Sequence, residues 1–342
     1  MIRRRGALHR LALHQLALGG LASWAQPATP AAAPAAFEFV ALGDMPYGPD
    51  LIAGPAYRQL IDLINQAAPR FAIHVGDFKD GTAACSDDEF RLQWQHFQRF
   101  ADALIYTPGD NDWLDCHRRG DDPLERLSAL RQRFFSQARS LGRRPIALQR
   151  QSELMPAFAD YRENQRWLHQ GVVFASFHTV GPHNGFDAAQ PQVRDEARRR
   201  EAANAAWIAA AFDTASASGA RALVLATQAE SLRYPDPAEP KHSEVHESFP
   251  SISRVLLPRA QVAPFPVLLV HGDHHRYVTD QPFLDPQGRS IANLWRLQVY
   301  GEPRIHAVRV RVQPEVATTP FVFTPLWNVM SSDPRWLPRS GS

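Results

Sequence analysis

Residues Phe71–Asp80 read FAIHVGDFKD, an apolar run that breaks into Gly-Asp and sets a second Asp three places further on. A short, continuous apolar run of this kind marks a strand buried on both faces. The break is the informative part, because it recurs. FEFVALGD ends at Asp44, ALIYTPGD at Asp110 and VLLVHGD at Asp273. With 19 Gly and 22 Asp in 342 residues, chance supplies roughly one Gly-Asp pair. The chain has five, and only Gly120-Asp121 lies in a charged, loop-like context. Ordinary β-to-α turns, each Asp capping the next helix, are the competing explanation. Helix caps draw equally on Ser, Thr and Asn, so four Asp at four strand ends argue for a shared purpose.

The rest of the chain sets those strands in an architecture. Apolar runs at 37–42, 71–75, 103–106, 172–177, 221–226 and 266–270 predict buried strands. Between the first two, Tyr57, Leu60, Ile61 and Ile64 recur at helical spacing and predict a helix over 54–67. Similar patterns predict helices over 89–101, 124–138 and 193–217, the last stopped by Gly219. Ile305–Val312 alternates valine with arginine, as a half-exposed antiparallel strand does; Leu294–Tyr300 and Phe321–Phe323 are expected to pair with it. A β-α-β-α-β front and a largely β back make an α/β (mixed α+β) fold, a four-layer α-β-β-α sandwich of two mixed sheets flanked by helices. Ligands of such sheets collect outside the carboxyl ends of the strands. There Gly lets the backbone turn sharply and come close to an ion, while Asp projects into the crevice. The pattern is that of a cation site.

Composition narrows the partners. Arg3-Arg4-Arg5, an apolar stretch to Ala22 and Ser23-Trp24-Ala25 read as a signal peptide over residues 1–25, with the twin-arginine route open to it. A Pro/Ala-rich linker follows at 26–36, then a domain over 37–330 and a tail over 331–342. Export implies a periplasmic or secreted protein with no stable membrane insertion after cleavage. Without residues 1–25 the balance is 33 basic against 35 acidic residues, so no polybasic face points to nucleic acid. Cys85 and Cys116 are the only cysteines and fall in loops that leave two strands, where one disulfide would form in an oxidising compartment. Oligomeric state is not readable from the sequence.

The order Gly43-Asp44, Gly76-Asp77-Phe-Lys-Asp80, Gly109-Asp-Asn-Asp112 and Gly272-Asp-His-His275 resembles that of the calcineurin-like metallophosphoesterases. Their motifs run Asp-x-His, Gly-Asp-x-x-Asp, Gly-Asn-His-Asp/Glu, a lone His, and Gly-His-x-His. The resemblance spans about residues 37 to 312; the second block matches in full and the others in part. It implies two divalent metal ions (Mn, Fe, Zn or Mg), with Asp44, Asp77 and His275 on one ion and Asp77 bridging. Asp110 stands where the family has a ligating Asn, Gln228 near the lone His, and Asp273 at the first His of the last pair. Pro46 replaces the His of the first block, and Asn111 the catalytic His of the third. Such oxygen-for-nitrogen exchanges favour harder ions. Asn111 can donate a hydrogen bond to phosphate but cannot deliver a proton at neutral pH. His178, at the end of its strand, is the first candidate among the remaining histidines, either to touch the substrate or to support a residue that does. Lys79 is read as solvated surface or a phosphate contact, Trp113 as packing or a ring-stacking platform, and 231–248 as a lid or a surface loop.

The function so implied is a metal-dependent phosphoric ester hydrolase acting on small phosphorylated mono- or diesters through metal-activated water. The alternative is a catalytically impaired relative that binds a ligand or partner without turnover.

Overall fold

The structure, a computed structural model, describes residues 35–233, 244–316 and 320–331. The expected signal peptide, most of the linker, the middle of the 231–248 loop and nearly all of the C-terminal tail lie outside the described residues.

Fourteen short strands build three sheets among the described residues. In chain order they are β1 (Phe37–Leu42), β2 (Phe71–His74), β3 (Ala103–Tyr106), β4 (Gln149–Arg150), β5 (Gln165–His169), β6 (Val172–Ser176) and β7 (Ala222–Ala226). Then come β8 (Leu232–Arg233), β9 (Glu244–Val245), β10 (Val267–His271), β11 (Val278–Asp280), β12 (Leu294–Gln298), β13 (Ala307–Val312) and β14 (Phe321–Leu326). The first sheet runs β14-β13-β1-β2-β3 and the second β11-β12-β10-β7-β6-β5-β4; β8 and β9 form a separate ribbon. Both large sheets are mixed. β1, β2 and β3 are parallel, and β13 joins β1 antiparallel. In the second sheet β6, β7, β10 and β12 are parallel, with antiparallel strands at both edges.

Side-chain alternation divides each central strand between two hydrophobic layers. Phe39, Ala41, Phe71, Ile73 and Ile105 of the first sheet meet Phe174, Val224, Leu268 and Val270 of the second in a shared core. The intervening Val40, Leu42, Ala72 and Leu104 pack instead against Tyr57, Leu60, Ile61, Phe97 and Phe134 of outer helices. On the far side Val173, Leu223, Leu225 and Leu269 pack on Trp207, Phe212, Ile252 and Leu256. The result is helix, sheet, sheet, helix, as expected.

The helices are Asp50–Ala67, Asp87–Phe97, Pro123–Phe134 and Pro191–Ala217, with shorter ones besides. Each starts one to four residues before the apolar spacing predicts, the second and third end four residues sooner, and in two of the helices a cap holds the polar first turn. The Ser86 hydroxyl accepts from Glu89 N–H (3.1 Å), and the Asp122 carboxylate from Leu124 N–H (2.9 Å). One pairing differs from expectation. β12 lies parallel to β10 in the second sheet and not beside β13. Leu294 faces the outer helices and Leu297 the inter-sheet core, so the strand needs cover on both faces. β13, with Arg311 exposed, does not.

Phe174 is fully buried where the sheets meet, its ring centroid 5.0, 5.1 and 5.5 Å from those of Phe71, Trp167 and Phe39. Phe174→Ala should cost about 3–5 kcal/mol by opening a cavity that two sheets cannot collapse. A fall of under about 1 kcal/mol in urea unfolding would contradict this packing.

Candidate functional site

All four Gly-Asp turns leave the carboxyl ends of β1, β2, β3 and β10, the last from the second sheet. Asp44, Asp77 and Asp273 each adopt a left-handed backbone, with φ of 53°, 56° and 79°. Asp is among the few residues that tolerate that region. A helix-capping residue instead has extended φ and ψ, and the residues preceding the four long helices are Pro49, Ser86, Asp122 and Gln190. None of the four turn aspartates caps those helices.

Gly76 takes a positive φ of 99°, whereas Gly109, Gly272 and Gly181 are needed for a different reason than their own φ. A Cβ at Gly109 would lie 1.9 Å from Asp77 Oδ1, one at Gly272 2.2 Å from Asp44 Oδ2, and one at Gly181 2.3 Å from Asp273 Oδ1. Each carboxylate therefore rests on the bare backbone of another turn. Asp112 ties two of these turns together. Its fully buried carboxylate accepts from the N–H groups of Asp77 (3.1 Å), Phe78 (2.9 Å) and Gly109 (2.8 Å) and from the Tyr106 hydroxyl (2.7 Å).

Asp44, Asp77 and Asp110 are buried together, with the half-buried Asp273 beside them. Asp44 accepts from Asp273 N–H at 3.0 and 3.1 Å. Asp77 accepts from Asn111 N–H (3.1 Å), the Asn111 amide (3.1 Å), the Tyr47 hydroxyl (3.2 Å) and the Gln228 amide (3.1 Å). His275 is oriented by a 2.7 Å contact between Nδ1 and the Glu302 carbonyl, so Nδ1 carries the proton and Nε2 presents its lone pair. That Nε2 lies 3.3 Å from the Tyr47 hydroxyl and 3.9 Å from Asp44 Oδ1. Burial, reinforced by repulsion among neighbouring carboxylates, holds Asp44, Asp77 and Asp110 well above the ordinary carboxylate range. Asp112 is pushed up to about 6 by burial, opposed by its donors.

The donors fit one hard cation better than two. Favouring a cation are the crowded carboxylates, the buried Asp110 Oδ1 without a hydrogen-bond partner, and the lone pair of His275 Nε2. Against a second ion stands Gln228. Its Oε1 accepts from Gly181 N–H (2.8 Å), which turns Nε2 towards Asp77 Oδ2 (3.1 Å) and Asp273 Oδ1 (3.2 Å). An amide donor bridges the two carboxylates where an acceptor would be needed. Among the described residues, no three His, Cys, Asp or Glu side chains already converge as a metal-binding group.

Other expected residues have different work. His178 is fully buried, its Nε2 accepting from Trp113 Nε1 (3.1 Å) and its Nδ1 2.9 Å from Glu163, so it cannot touch a substrate. Burial pushes its imidazole down to about 4. Trp113 is fully buried against it and presents no stacking face to ligands. Lys79 is buried, not solvated, and donates to the carbonyls of Asp80 (3.1 Å) and Ala83 (3.4 Å). Cys85 and Cys116 form a disulfide that joins the loops after β2 and β3. Asp112 closes the third sequence block but has no role assigned there, and Tyr47 and Glu302 are not singled out by the sequence. Only the proximity of Tyr47 to Asp44 and of Asp112 to Asp110 hinted at them.

Solved structures share this architecture at low identity. A dimetal phosphatase from Danio rerio superposes with a TM-score of 0.51 at 8% identity, over 85% of this chain and 99% of that one. The fold is that of the calcineurin-like metallophosphoesterases. A purple acid phosphatase from yellow lupin (Lupinus luteus) aligns with a TM-score of 0.48 at 12% identity, over 81% of this chain and 49% of that one. The protein TT1561 of Thermus thermophilus gives 0.45 at 7% identity, over 85% and 98%. No family model matches the chain, and no curated protein matches it in sequence.

This metallophosphoesterase fold carries two opposed pH slopes. The raised carboxyls bind extra protons in the folded state, so the stability they contribute falls as pH rises above their ordinary 3.8. His74, His178 and His271 are pushed down by burial to about 3, 4 and 3. Their contribution is present above the ordinary imidazole value and lost as pH falls below it. Above about pH 6.5 the imidazole contribution is complete and only the carboxyl slope is left, so the Tm of cation-free protein should fall as pH rises further, and added Mn should offset that fall. A Tm that climbs steadily to pH 8 in chelator contradicts the carboxylate arrangement.

Proposed function

We propose that the protein is a divalent-cation-dependent phosphoester hydrolase acting on small, activated phosphate esters. The observation that carries this reading is that carboxylates from both sheets, Asp44, Asp77 and Asp110 buried and Asp273 half-buried, lie at one rim, with His275 Nε2 turned towards Asp44. Asp44, Asp77 and His275 would hold the cation. When bound it would supply Lewis-acid polarisation and an acidified water.

The chain's own residues do the rest. The Asn111 amide and the Tyr47 hydroxyl, 2.8 Å apart, both donate to Asp77; a cation taken up by Asp77 would free these neutral donors for a phosphate oxygen. Glu302 fixes the His275 ring through its carbonyl, and Gln228 holds Asp77 and Asp273 together by donating to both. Asn111 has no proton to give to a departing alkoxide, and His178, the first candidate among the other histidines, is sealed in the core. A leaving group that departs as a stable anion tolerates this lack, whereas an alkyl ester loses about 10²-fold or more. The disulfide supports an oxidising compartment, periplasmic or secreted. No helix among the described residues is long and apolar enough to cross a membrane. Nothing in the charge balance calls for a nucleic-acid partner.

A second reading, ligand binding without turnover, is favoured by one observation. Tyr47, Asn111 and Gln228 already satisfy Asp77 with neutral donors. Two measurements separate the readings. Elemental analysis of protein purified with Mn should give one divalent ion per chain, and two would contradict the role given to Gln228. Asp77→Asn should lower nitrophenyl phosphate turnover by at least about 10²-fold, while the Tm of cation-free protein holds or rises. Wild-type protein inert with Mn, Mg, Zn and Ca would leave only the binding reading.

A further inference from the structure

A cavity of about 310 Å³ adjoins the carboxylate cluster. One wall is the turn that follows Trp113, with Leu114, Asp115 and Arg118; the other is the loop from Gly181 into the helix Pro191–Ala217, with Pro182, Ala188 and Val193. Two of these residues also border the cluster. Gly181 presents its bare Cα to the Asp273 carboxylate and donates its N–H to Gln228. Asp115 N–H donates to the Asp110 carbonyl at 2.9 Å. Arg118 stands at the junction. Its Nη1 is 2.7 Å from Asp115 Oδ2, and a Cβ at Gly81 would lie 2.6 Å from that Nη1 and 2.5 Å from Asn111 Oδ1. The cavity thus opens beside the residue whose amide faces Asp77, with a guanidinium at the threshold and mainly apolar walls behind it.

We infer that this cavity receives the alcohol portion of the substrate, a compact aryl group, with Arg118 at its threshold orienting the phosphate. The inference rests on the hydrolase reading for the phosphate itself and adds the substrate class. Two independent features select an aryl ester. The volume is at the small end of ligand pockets, and its walls are dominated by Leu114, Pro182, Ala188 and Val193, which suits a ring better than a sugar or a peptide. Asn111, whose amide faces Asp77, also carries no proton to give, and His117 on the cavity wall has its Nδ1 2.8 Å from the Leu114 carbonyl; a phenol departs without proton donation far more readily than an alkanol. In the hydrolysis, water's oxygen forms the new P–O bond as the aryl-oxygen bond to phosphorus breaks. The phenolate leaves with the electron pair, and the water proton passes to solvent. Arg118 is half-exposed and already paired with Asp115, so its role is to orient an incoming anion and not to anchor a permanent ion.

The test uses inert phosphonates, so that it does not depend on turnover. In the presence of Mn, wild-type protein should bind phenylphosphonate about tenfold or more tighter than methylphosphonate, a difference of about 1.4 kcal/mol. Ala188→Trp, which fills the cavity from a partly buried position, should abolish that preference and leave methylphosphonate binding within about twofold. Arg118→Gln should weaken both ligands by a similar factor. If Ala188→Trp fails to fold, Gln190→Trp at an exposed cavity position replaces it. Equal affinity of the two phosphonates for wild-type protein overturns the inference, as does a preference that survives cavity filling. A phenyl preference in a protein that hydrolyses no ester would sink the hydrolase reading and leave the cavity assignment standing.

Discussion

Several buried carboxylates share one small volume at the mouth of two packed sheets, and backbone and amide N–H groups hold most of them there. Asp112 binds the turn after β2 to the turn after β3 through its acceptor contacts, Asp44 is held by Asp273 N–H, and Asp77 by Asn111 N–H. These bonds orient like charges towards one another, which no sequence seeking stability alone would do. The surrounding layers are correspondingly well filled. Aromatic rings from Phe39, Phe71, Trp167 and Phe174 lock the sheets behind the site. A buried set comprising Glu163, Arg131, His178 and Trp113 braces the third turn from below. Arg131, at 2.5 Å, is the chief charge that draws Glu163 far below the carboxylate range against the opposing effect of burial.

The neutral residues around the cluster decide its chemistry. Gln228 has one free choice removed by Gly181: once its oxygen is taken by a backbone N–H, its nitrogen must face the acids. Tyr47, next to Pro46 in the chain, touches both Asp77 and His275. Asn111 donates to Tyr47 and Asp77 with the same amide. Imidazoles in these places would add ligands and proton donors. Amides and a phenol add hydrogen bonds and no proton at neutral pH, since burial raises the Tyr47 hydroxyl well above its ordinary value. A site of this composition needs help from its substrate, and that need links the cluster to the apolar cavity beside it.

Much of this was legible in the chain itself. Two-sided burial writes continuous apolar runs, so β1, β3 and β10 could be read almost residue for residue, and Gly-Asp at their ends marked one rim. The alternating valines of β13 gave away its exposed face. What spacing along the chain could not reveal was which sheet β12 would join, because Leu294 and Leu297 look alike until both faces are seen covered. Nor could it show that Lys79 is interior, since a lysine paired to carbonyls reads like a solvated one.

The sequence by itself determined the layers, the order of the turns and the residue types at the rim, because periodicity and local turn chemistry are properties of neighbours along the chain. Tertiary structure alone decided what each polar side chain does. His178 became a brace, Gln228 a donor between acids and Asp112 the tie between two turns, through partners 3 to 151 residues away. The direction in which an amide or imidazole presents its donor is fixed by what the other end already touches, and that is set only when the two sheets close on each other.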